Sequence, residues 1–113
     1  MKLKYKKETA VPDLTNKKEL MNALIKAIEK ASGFSEYEIK KDTGRQLAWW
    51  KKIGMYVLVK EFDWTQRAAG LAFGRDHTIV SKAVKEFDEI LATDGQRHKV
   101  LPYINQITHE LTL

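Results

Sequence analysis

The 113-residue chain contains no cysteine. Disulfide frameworks and thiolate chemistry are therefore excluded, and the absence fits a reducing compartment. No apolar run approaches the roughly 20 residues that a membrane span requires. The three histidines, His77, His98 and His109, lack the spacing of metal ligands. No serine, histidine and acid are arranged to activate a nucleophile. The acidic residues are scattered, with no pair suited to acid–base work. Catalytic, cofactor and metal sites are accordingly not expected. The length rules out a barrel of alternating strands and helices, which needs roughly 250 residues. It supports one compact domain. Internal repeats and low-complexity segments are missing as well.

What is present is a basic chain with a core. Hydrophobic residues make up 43% of it, enough for a packed interior. Twenty basic and 15 acidic residues give a net charge of +5. That balance suggests an anionic partner without choosing between nucleic acid and a membrane surface. Residues 1–60 carry 14 basic and 7 acidic side chains, against 6 and 8 in residues 61–113. The first seven residues are positively charged but precede no apolar stretch, so a secretory signal is not expected and a cytoplasmic location is.

Residues 1–14 read as a mobile basic arm with no helical period, the alternative being a disordered solubilising tail. Asn16 and Glu19 form a capping-box pattern that predicts a helix start, followed by Leu20, Leu24, Ala27, Ile28 and Ala31 on one stripe. Gly33 stands where a left-handed helix terminator is wanted. Ser35 and Glu38 repeat the capping box, with Phe34 and Ile39 at the positions of a hydrophobic staple. Residues 40–45 read as a basic loop. Residues 46–62 have strand propensity in the middle, but their apolar length argues for a central helix. Val80, Ala83, Val84, Phe87, Ile90 and Leu91 make a further helical stripe. Residues 93–113 are expected to add a helical extension, with Pro102 in the first turn of its helix.

Residues 65–80 carry the most information. They read as two helices around a glycine turn, a helix-turn-helix pattern. Ala69 and Gly70 are small where the helices approach, Gly74 suits the turn, and Val80 locks the second helix onto the first. The run Ala72-Phe73-Gly74-Arg75-Asp76-His77-Thr78-Ile79-Val80 resembles the Phe-Gly-Gly-Arg-Asp-His-Thr-Thr-Val signature of the C-terminal DNA-binding domain of the bacterial replication initiator DnaA. Lys52-Ile53-Gly54-Met55-Tyr56-Val57 is similar to that family's Gln-Ile-Ala-Met-Tyr-Leu. The chain departs from the family in a turn one glycine shorter, Ile79 for threonine, and Trp49-Trp50 for an arginine-proline-like pair. It also lacks a Gly-Lys-Ser/Thr phosphate loop.

The resemblance implies an all-α, multi-helix helix-turn-helix domain, Trp-repressor-like, over residues 15–92. It implies a free-standing module that binds double-stranded DNA in replication or transcription control, within a prokaryotic cell or its phage or plasmid. Asp76, His77 and Thr78 match the base-reading positions. Arg45 matches a minor-groove arginine and Lys51 a phosphate contact. Thr65, Arg75, Ser81, Lys82 and Lys85 are the further backbone candidates. Asp76 and Thr65 are equally well placed as helix N-caps. Arg45 is as readily a surface arginine in a loop. Trp49, Trp50 and Trp64 offer a stacking platform for single strands, although aromatics at helical spacing usually belong to a core. The rival reading is a protein-interaction module, and residues 96–113 either mediate self-association or protein contact or cover the core.

Overall fold

Caps and glycines divide the apolar stripes of the described residues into six α-helices. The computed structural model describes residues 14–41 and 44–111, and side chains from Lys17 onward. The helices are α1 (Leu14–Ser32), α2 (Glu36–Lys41), α3 (Arg45–Phe62), α4 (Gln66–Ala72), α5 (His77–Ala92) and α6 (Leu101–Leu111). A single 3₁₀ turn, Arg97–Lys99, precedes α6. No strand occurs among the described residues, so the fold is all-α. No described helix is long and apolar enough to cross a membrane. The arm expected at residues 1–14 lies outside the described residues, apart from Leu14.

α1 begins at Leu14, two residues before the expected cap, so Asn16 falls inside its first turn. It ends at Gly33, whose φ of 84° is the left-handed value that a side chain resists. Ser35 and Glu38 do form a reciprocal capping box. The Glu38 amide donates to Ser35 Oγ at 3.1 Å and the Ser35 amide donates to Glu38 Oε1 at 3.0 Å. The basic segment is shorter as a loop than expected: Lys40 and Lys41 end α2, and Arg45 opens α3.

α3 is helical throughout and buried on nearly every side, through Leu47, Trp50, Ile53, Met55, Val57, Leu58 and Phe62. Such a helix must be surrounded. α1 supplies Leu24 and Ile28, α5 supplies Val80 and Phe87, and α6 supplies Ile104, Ile107 and Leu111. Gly54 lets Phe73 lie against α3: a Cβ there would stand 2.9 Å from the Phe73 ring and 3.2 Å from Ile28. Asp88 joins α5 to α3 by accepting from the Tyr56 hydroxyl and pairing with Lys60 at 3.2 Å. Burial, and then the bond to Asp88, push the Tyr56 phenol above its ordinary pKa.

α6 packs on α1 and α3 and shares their core. Pro102 stands in its first turn, where the missing amide costs no helical bond. A surface pair, Lys30 with Glu110 at 2.9 Å, joins its end to α1.

Candidate nucleic-acid interface

The junction of α4 and α5 is assembled from local bonds. Thr65 caps α4 by accepting from the Ala68 amide at 3.0 Å. Gly70 ends it: its carbonyl accepts from the Phe73 amide at 3.0 Å and the Arg75 amide at 2.7 Å. A Cβ on Gly70 would stand 2.6 Å from the Arg75 carbonyl oxygen and 3.2 Å from Val80. The tight turn therefore needs glycine there. Gly74, with φ of 67°, supplies the left-handed step. Val80 is fully buried and fixes α5 against α4.

Asp76 is the N-cap of α5. Its Oδ1 accepts from the Thr78 amide at 2.9 Å and the Thr78 hydroxyl at 2.8 Å. His77 Nδ1 lies 3.1 Å from the same oxygen. These Thr78 bonds, with smaller help from His77 and Arg67, hold the Asp76 carboxyl below its ordinary value of 3.8. Asp76, His77 and Thr78 are all exposed, so the cap and the surface trio are the same residues. The imidazole of His77 lies beside the Asp76 carboxylate and is exposed. The Thr78 hydroxyl, donating to Asp76, keeps lone pairs to offer.

Thr78, Ser81, Lys82 and Lys85 share the face of α5 opposite Val80, Ala83 and Phe87, and they and His77 at the helix start are all exposed. Arg75 is half-buried beside them. Beyond Lys85 the exposed Glu86 and Glu89 reverse the sign, so the first turns of α5 are the cationic part.

Two further candidates lie on α3. Lys51 is 5% exposed and lines a cleft with Phe73 and Gly74 of the turn. So small an exposure does not favour the expected phosphate contact. Arg45 opens α3 and lies in a separate groove with Lys99 and three aromatic rings. Trp64 also stands apart from that cluster, with Lys17 over its ring at 5.4 Å.

Arg67 was missed by sequence reasoning. It is exposed on the first turn of α4, and its charge reaches Asp76 across the junction. Only the turn brings the two together, so spacing alone carried no signal. Lys40 was seen as part of a basic loop. It lines, with Gly74, a cleft of about 410 Å³ that reaches from α2 to the turn.

No protein-family model, curated protein or solved structure matches the chain.

Proposed function

We propose that the chain is a non-enzymatic, double-stranded-DNA-binding module that reads sequence with the start of α5. The observation that supports this most is the exposed Asp76–His77–Thr78 cap on a helix held by a glycine-tight turn, with Arg75, Ser81, Lys82 and Lys85 around it. The likeness of this run to the initiator family points the same way. It suggests replication or transcription control in the cytoplasm of a prokaryotic cell, or in its phage or plasmid.

The major groove admits a helix and distinguishes the base pairs by their donors and acceptors. The Thr78 hydroxyl, with its proton on Asp76, offers lone pairs to an amino group, adenine N6 or cytosine N4, and the His77 ring adds a hydrogen-bonding edge beside it. Lys82, Lys85, Arg75 and Arg67 supply phosphate attraction without sequence preference, and Thr65 and Ser81 offer hydroxyls. Arg45 adds positive charge from the start of α3. The acids that follow Lys85 keep the rest of α5 out of the groove.

The test is a salt-titrated binding assay on duplexes with and without an initiator-type box. The reading expects tighter binding to the box and an affinity that falls steeply with salt. Equal affinity for both duplexes removes sequence reading.

The second reading is a protein-interaction module. It is favoured by Leu71, 73% exposed on α4, and by exposed Ile79 on α5, two apolar side chains flanking the same junction. Absence of duplex binding at low salt would favour it.

A further inference from the structure

The groove between the start of α3 and α6 differs in kind from the α4–α5 junction. It has a volume of about 470 Å³ and is lined by Arg45, Gln46, Trp49, Trp50, Lys99 and Tyr103. That volume lies within the range of roughly 300–1,000 Å³ usual for ligand clefts. Among the described residues, no acidic side chain lines it.

The three rings stand almost at right angles to one another. Trp49 meets Trp50 at 5.1 Å and 84°, and Trp49 meets Tyr103 at 5.4 Å and 81°. Trp50 meets Tyr103 at 5.5 Å and 86°. Edge-to-face contacts of this kind hold each ring in place. Trp50 is 9% exposed and forms the floor, whereas Trp49 is half-buried and Tyr103 is 38% exposed. The corner thus leaves aromatic surface open. Arg45 and Lys99 are exposed in the same groove, and neither is in an ion pair among the described residues.

We propose that this groove binds an unpaired nucleotide of a single-stranded nucleic acid, its base against Trp49 and Tyr103 and its phosphate on Arg45 and Lys99. A planar base satisfies the open ring surface, and the adjacent phosphate satisfies the two cations. Aromatic stacking beside a basic groove is how single strands are held without base-edge reading. A duplex cannot use the corner, because its bases are already stacked on one another. The proposal is independent of duplex reading by α5, since none of its residues lies on α4 or α5.

The experiment titrates the full chain with a ten-nucleotide oligo(dT), an abasic strand of equal charge, dTMP and a blunt duplex, following tryptophan fluorescence. Oligo(dT) is expected to quench the emission and to bind at least about fivefold more tightly than the abasic strand. Tyr103→Ala should weaken oligo(dT) binding by a similar factor. Lys99→Glu, an exposed change that leaves the core alone, should weaken it and flatten the log–log salt slope by at least about 0.7. His77→Ala/Thr78→Ala should leave it unchanged, which separates this site from the duplex reading. Equal binding of abasic and oligo(dT) strands overturns the proposal. So does unchanged affinity in both Tyr103→Ala and Lys99→Glu. dTMP binding as tightly as the oligonucleotide overturns assignment to a strand.

Discussion

The α4–α5 junction and the α3–α6 groove are both cationic, but they are built from opposite materials. The junction has small residues inside, Ala69 and Gly70, and short polar groups outside. Its exposed donors and acceptors are already ordered by Asp76 before any ligand arrives. The groove has large rings, held by edge-to-face contact, and no carboxylate among the described residues that line it. A convex edge with directed hydrogen-bonding groups suits a base-pair edge in a duplex groove. A concave aromatic corner suits the face of a base, which only an unpaired strand offers. The difference teaches that net charge alone says little about which nucleic acid is bound. The shape and chemistry next to the charge decide it.

Four changes test how far the two regions are separate. The largest effect is expected from Gly70→Val. Its side chain meets the Arg75 carbonyl and Val80, so stability should fall by about 3 kcal/mol and duplex binding should fail. Urea denaturation measures the first, and a binding titration the second. Tyr103→Ala removes two ring contacts from the groove and should cost about 1–2 kcal/mol in the same denaturation assay. It should leave duplex affinity as it is, and a loss there would join the regions. Thr65→Ala removes the α4 cap and should cost about 1 kcal/mol, restored in large part by Thr65→Ser. Asp63 holds a left-handed φ of 56° at the end of α3, outside both regions. Asp63→Gly should change stability by less than about 1 kcal/mol, in the stabilising direction, with neither binding activity altered.

The junction also carries a pH signature. The folded-state pKa of Asp76 lies below 3.8, so its ionised cap stabilises the fold above that value. This contribution is lost as pH falls through the lower folded value. Asp76→Asn keeps a capping side chain but removes the titration. Denaturation midpoints taken from about pH 5 to about pH 2 should fall more for wild type than for the variant. Parallel curves would mean that the cap does not couple to folding.

Local devices were legible in the sequence and distant ones were not. The boxes and caps at Ser35, Thr65 and Asp76 each act within three residues, and all are present in the fold. Gly33 and Gly74 take the positive φ that their positions suggested. The central helix α3 was readable because its apolar run exceeds any ordinary strand. The start of α1 was misplaced because several polar residues there are competent caps. The burial of Lys51 was hidden because α3 is apolar on nearly every side, which leaves its period without a clear outward face. The groove was hidden for another reason. Trp49 and Trp50 lie on α3, while Lys99 and Tyr103 come from the far end of the chain, and only the packing of α6 on α3 joins them.

The central claim is that the start of α5 divides base reading from phosphate attraction. Its most direct test compares box and scrambled duplexes across a salt series for wild type, His77→Ala/Thr78→Ala and Lys82→Ala/Lys85→Ala. The first variant should bring the affinity ratio between the two duplexes close to one while leaving the salt slope in place. The second should keep the ratio and flatten the slope by about 1.8 units. A wild-type ratio of one, or the same change of slope and ratio in both variants, would contradict the account.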